Sequence, residues 1–107
     1  MERPRVRLSA SVIAAGETIE IRTLISHPME SGYRRDADGA VVPRKIITRF
    51  RCEFEGREVF TWELRPGVAA NPYLQFRVLP PGSGQLAFTW TDDDGAEVSI
   101  SESVTVA

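Results

Sequence analysis

His27 and Cys52 are the only imidazole and the only thiol in the chain, so acid–base or nucleophilic chemistry would have to be built around them. Histidine titrates near neutrality and serves as a base or a metal ligand, but either role needs partners, and there is no second histidine. Cys52 alternates with Phe50 and Phe54 on one side of an apolar run. Buried cysteine behaves as a small hydrophobe, whereas a reactive thiolate needs an electropositive, partly exposed setting. The pattern predicts a core cysteine and a loop-anchoring histidine. A small redox or sulfur-handling enzyme using Cys52 and His27 is the alternative.

The remaining polar clusters have simpler explanations. Asp36-Ala37-Asp38-Gly39 resembles the start of a calcium loop but lacks the bidentate glutamate and flanking helices of such a site. Asp92-Asp93-Asp94-Gly95 reads as a hairpin turn, since Asp tolerates left-handed geometry and glycine completes the turn. Gly82 and Gly84 lack the strand–loop–helix context of a phosphate cradle. Arg34 and Arg35 have the chemistry to capture an oxyanion, with solvated loop charges as the ordinary reading. Neither paired catalytic carboxylates nor a Ser-His-Asp arrangement is discernible, and no cofactor or metal is expected.

The elements that would carry these residues are strands. Alternation over Arg5–Leu8, Glu17–Ile25, Ile46–Phe54, Arg57–Leu64, Tyr73–Val78, Gln85–Trp90 and Glu97–Val106 puts apolar side chains on one face of each run. Turn residues separate the runs: Glu55-Gly56, Pro66-Gly67, Pro80-Pro81-Gly82 and Asp94-Gly95. Glu102 shares the apolar parity of the last run, which calls for a bulge or an exposed strand end. About seven short strands with no helical period predict an all-β, immunoglobulin-like antiparallel sandwich.

At 107 residues with 42% hydrophobic and 26% charged residues, the chain has the size and composition of one domain with one core, spanning 1–107. A formal charge of −2 gives no reason to expect a nucleic-acid surface, and no apolar run is long enough to cross a bilayer. Met1–Leu8 has the charges but not the apolar stretch of a secretory signal. One cysteine excludes an intrachain disulfide.

The segment from Leu24 to Ile46 is long for a connection in a compact domain, and such loops are usually functional or disordered. Met29, Tyr33, Val41 and Val42 lie in it, while Ile47, Val59 and Tyr73 fall on outward parities. With His27, these residues are the expected partner interface, because exposed apolar groups and open sheet edges favour a protein partner.

The block Ile21-Arg-Thr-Leu-Ile-Ser-His-Pro-Met-Glu-Ser-Gly32 resembles the signature of the SoxZ family of the bacterial sulfur-oxidation (Sox) system. Further matching blocks are Pro43–Ile47, Cys52–Phe60, Ala70–Tyr73 and Phe88–Gly95, in order along nearly the whole chain. The resemblance implies an immunoglobulin-like subunit, not itself an enzyme, that pairs with SoxY as a heterodimer and helps present SoxY-bound sulfur to other Sox proteins met transiently. The family's carrier cysteine lies in a C-terminal glycine-rich arm of SoxY. This chain ends Glu102-Ser-Val-Thr-Val-Ala107, so Cys52 is not expected to carry sulfur. The resemblance also implies a periplasmic location, reached by export with a signal-bearing partner. A homodimeric immunoglobulin-like interaction module is the further alternative, since the exposed apolar surface favours self-association when the partner is missing.

Overall fold

The computed structural model describes all 107 residues and contains eight strands. They are β1 (Arg5–Leu8), β2 (Val12–Ile13), β3 (Ile19–Leu24), β4 (Ile47–Phe54), β5 (Arg57–Glu63), β6 (Tyr73–Val78), β7 (Gly84–Asp92) and β8 (Glu97–Val106). Two sheets face each other, one ordered β1-β3-β6 and the other β2-β8-β7-β4-β5. The immunoglobulin-like sandwich is as the alternation predicts. The eighth strand is the two-residue β2, which pairs parallel with the end of β8 and is too short to show a period.

The inner faces carry one apolar core. Ile19 and Ile21 from β3 meet Phe50, Cys52 and Phe54 from β4 and Leu86, Phe88 and Trp90 from β7. Phe50 is the hub of the rings, with centroids 4.9 Å from Trp90 and 5.8 Å from Phe76. Phe60 of β5 stacks on Phe76 of β6 at 4.5 Å, tying the larger sheet to the smaller one. Such aromatic pairs contribute about 0.5–1.5 kcal/mol beyond area burial.

Local chemistry sets the turns. Glu55 and Gly56 both have positive φ, at 48° and 79°, the backbone a two-residue hairpin needs to match strand twist. Asp92 accepts the backbone N–H groups of Asp94 and Ala96 through one carboxylate oxygen, each at 2.9 Å. These two bonds fix the β7–β8 hairpin. The register between β7 and β8 runs unbroken past Glu102, opposite Leu86. Glu102 therefore stays on the inward parity without a bulge, half-buried at the open side of the sandwich.

Ile47 departs from the expected outward parity and is fully buried. The pairing of β4 with β7 shifts between Ile47 and Arg49, where two residues of β4 advance against one of β7. The bulge turns Ile47 toward the core, as an extra residue in one strand does.

Candidate functional site

The segment between β3 and β4 is a ribbon rather than an open loop. At its base, Glu30 and Lys45 exchange backbone hydrogen bonds at 2.8 Å in both directions. Farther out, the Val42 N–H donates to the Arg34 carbonyl at 2.8 Å and the Asp36 N–H to the Ala40 carbonyl at 2.9 Å, bracketing the bridge between Arg35 and Val41. The tip closes on Asp36, whose carboxylate accepts from the N–H groups of Asp38 and Ala40. The molecule measures 59 × 21 × 19 Å, whereas a ten-residue strand such as β8 spans only about 33 Å. The ribbon accounts for the extra length and projects from the sandwich as an arm.

Gly32 permits the arm to cross itself. Its φ is +89°, and a Cβ there would stand 3.1 Å from the Arg44 Cβ. Both the left-handed backbone and the close approach select glycine.

His27 and Met29 root the arm instead of presenting themselves to a partner. His27 is 5% exposed and Met29 6%, which overturns the expectation that they line an exposed interface. The His27 Nδ1 accepts the Met29 N–H at 3.0 Å, so the neutral ring holds its proton on Nε2, a buried atom without a hydrogen-bond partner. Burial pushes the imidazole below its ordinary 6.5, opposed by the charge of Asp92. Met29 takes a left-handed φ of 50°, and its Sδ accepts the Ile47 N–H at 3.3 Å. Burying the thioether removes apolar surface that a loop could not otherwise cover.

Two residues outside the arm hold this root, and neither was legible in the sequence as part of it. Asn71 donates its N–H to the His27 carbonyl at 2.8 Å and accepts the His27 N–H on Oδ1 at 2.9 Å. Asp93 donates its N–H to the Ile46 carbonyl at 3.0 Å and accepts the Ile46 N–H on its carboxylate at 3.2 Å. Arg44 lies 3.5 Å from the same carboxylate. The blocks around His27, Asn71 and Asp93, far apart in sequence, thus meet at one end of the sandwich.

Of the expected interface residues, Tyr33, Val41, Val59 and Tyr73 are exposed, Tyr33 to 84%, and Val42 is half-buried. Arg35 and Val41 oppose each other across the ribbon, and alternation puts Tyr33 on the same side. Arg34 is already engaged, hydrogen-bonded to both Glu30 carboxylate oxygens at 2.8–3.2 Å. That fork holds the Glu30 carboxyl below its usual range. Arg35 donates to the Gly39 carbonyl at 2.8 Å, so both arginines serve the arm's own structure.

Cys52 lies in the middle of β4, opposite Phe60 on one side and Phe88 on the other. It is fully buried, and desolvation with some help from Glu53 pushes its thiol up to about 12. Its partner Phe88 is four residue steps along β7 from Asp92 near the arm's root, about 13 Å at strand rise. The structure does not join Cys52 and His27 into one site.

A family model described as "Sulphur oxidation protein SoxZ" matches residues 6–103. The chain belongs to the SoxZ family. This ties the protein to the Sox system. No curated protein sequence matches the SoxZ-family chain. Among solved structures, it is similar to a superoxide reductase (neelaredoxin) from Ignicoccus hospitalis, with TM-score 0.72 and 17% identity over 99% of this chain and 81% of that one. It is similar to the sulfur carrier protein SoxY from Chlorobium limicola f thiosulfatophilum, with TM-score 0.67 and 11% identity over 99% of this chain and 76% of that one. A hypothetical protein, PH1083 from Pyrococcus horikoshii OT3, matches with TM-score 0.65 and 13% identity over 96% and 88%. At these identities the likenesses establish the shared sandwich alone.

Proposed function

We propose that this SoxZ-family chain is a non-enzymatic subunit that pairs with SoxY and helps present SoxY-bound sulfur intermediates to other proteins of the Sox system. The family match over residues 6–103 carries the reading. The arm supports it from the side of physics. A rooted, hydrogen-bonded projection ending in exposed Tyr33 and Val41 beside Arg35 has the aromatic, aliphatic and arginine composition of protein interfaces. Holding such a ribbon out in water costs conformational entropy that contact with a partner offsets.

The chemistry of the two reactive side chains agrees with a non-catalytic role. The Cys52 thiol, held near 12 inside the core, is protonated and shielded at neutral pH, so it is neither a nucleophile nor a sulfur carrier. The His27 ring spends its Nδ1 on the Met29 N–H and so anchors the arm. The periplasm is the proposed place of work, with export alongside a signal-bearing SoxY.

Co-expression with the cognate SoxY followed by gel filtration tests the pairing. A single co-eluting peak at the mass of the heterodimer is expected. Separate elution of two folded proteins at micromolar concentration overturns the proposal.

A further inference from the structure

The outer face of the β1-β3-β6 sheet carries an uncompensated positive charge. Arg5 and Arg7 from β1, Arg22 from β3 and Arg77 from β6 lie on the side opposite the buried Ile19, Ile21 and Thr23, and Arg3 adjoins them. Glu20 is the only carboxylate on this face. It is shared between Arg22 at 2.9 Å and Arg77 at 3.7 Å, while Arg3, Arg5 and Arg7 have no ion-pair partner. The register sets Arg7 directly opposite Arg22, and like charges facing each other across strands are destabilising.

The other sheet is arranged differently. On its outer face Arg49 pairs with Glu63, and Arg51 with Glu53 and Glu97. Five arginines against one glutamate on the small sheet also contrast with eight cations against fourteen carboxylates in the rest of the chain. The positive face continues into a cleft of about 560 Å³ between β1 and β8, where Glu102 is the single carboxylate among Arg3, Arg5, Arg7 and Arg22.

An apolar row completes the surface. Arg5 is opposite Leu24, and Leu24 is opposite Tyr73, both exposed. Arginine and tyrosine around a desolvated aliphatic contact are the usual makings of a binding hot spot. Three strands span about 10 Å across, and the six residues of β3 about 20 Å, a strip that suits one extended segment of five or six residues. A nucleic-acid duplex or an anionic bilayer would reach past this strip onto the acidic remainder of the protein and be repelled there.

We infer that the outer face of the β1-β3-β6 sheet docks an acidic segment of a protein partner, its carboxylates on Arg5, Arg7 and Arg22 and an apolar side chain on Leu24 and Tyr73. The inference does not rest on the SoxY pairing. It explains why two arginines are held face to face at a cost to the sheet: the repulsion is relieved when carboxylates arrive.

The test is an NMR titration of the full chain with the peptide acetyl-Glu-Asp-Phe-Glu-Asp-amide, beside inorganic sulfate, a twelve-base-pair DNA duplex and phosphatidylserine vesicles. The peptide should shift amides of β1, β3 and β6, and its affinity should fall as salt rises. The double variant Arg7→Gln/Arg22→Gln should weaken it at least tenfold while unfolding at the same or a higher temperature. Peptide shifts elsewhere or absent, equal or tighter binding of sulfate, duplex or vesicles, retained peptide affinity in the double variant, or a lowered unfolding temperature would each overturn the inference. Co-elution of the same variant with SoxY is scored separately, so failure of pairing and failure of this face are read apart.

Discussion

His27 and Asn71 are joined backbone to backbone and backbone to side chain: the Asn71 N–H donates to the His27 carbonyl at 2.8 Å, and the His27 N–H donates to the Asn71 Oδ1 at 2.9 Å. Asn71 holds this position with a φ of 53°, a backbone that asparagine tolerates better than most residues. The pair clamps the root of the arm to the segment that enters β6.

Replacing Asn71 therefore has two separable effects. Asn71→Gly keeps the backbone freedom and loses the side-chain acceptor, for an expected destabilisation of about 1 kcal/mol. Asn71→Ala loses the acceptor and adds left-handed strain, for about 2–3 kcal/mol. Urea unfolding of the two variants checks the order; equal losses would show that the backbone angle is of no consequence.

The arm's root should also be sensitive to acid. Burial lowers the folded-state pKa of His27 from 6.5, with Asp92 and Asp93 opposing and Lys45 and the N-terminus assisting. The unfolded chain then binds a proton near 6.5 that the folded chain refuses, so stability is complete above pH 6.5 and declines as the pH falls below it. His27→Asn retains an acceptor for the N–H two residues on but does not titrate. Its unfolding free energy should be flatter between pH 6.5 and 5 than that of the parent protein.

Cys52 gives the opposite pH signature. Its thiol is raised from 9.0 to about 12, so the folded state resists ionisation that the unfolded state accepts. Stability should be unaffected below pH 9 and fall above it, by at most about 1.4 kcal/mol per pH unit. Native protein at pH 8 should react with a thiol reagent only on unfolding. Cys52→Ala should cost about 1–2 kcal/mol through the small cavity it leaves, and sulfur loading of the SoxY complex should be unchanged in this variant.

Partner contact by the arm is checked on Tyr33 and Val41, which are exposed and bury little of their own chain. The variant Tyr33→Ala/Val41→Ser should alter unfolding free energy by no more than about 0.5 kcal/mol. Its affinity for SoxY should fall tenfold or more, about 1.4 kcal/mol or greater. Calorimetric titration measures this directly, and unchanged affinity would remove the arm tip from the interface.

The sandwich was legible in the residues alone, because alternation and turn chemistry are properties of neighbouring residues. Leu86, Phe88 and Trp90 face inward as their period requires, and Glu55-Gly56 turns because its two residues accept positive φ. The same local reasoning placed Cys52 in the core. The family blocks were legible too, as an ordered string of residue types.

Whatever depends on pairing between distant segments was set only by the folded arrangement. Ile47 is buried by a bulge against β7, and Met29 by a turn whose sulfur meets the Ile47 N–H; neither partner is a neighbour in sequence. Tyr33 and Val41 stay exposed because hydrogen bonds between the two sides of the ribbon hold the arm away from the core. The opposition of Arg7 and Arg22 is likewise a matter of register. Alternation fixes which face of a strand a side chain occupies, whereas only the cross-strand hydrogen-bond ladder fixes which charge it must face.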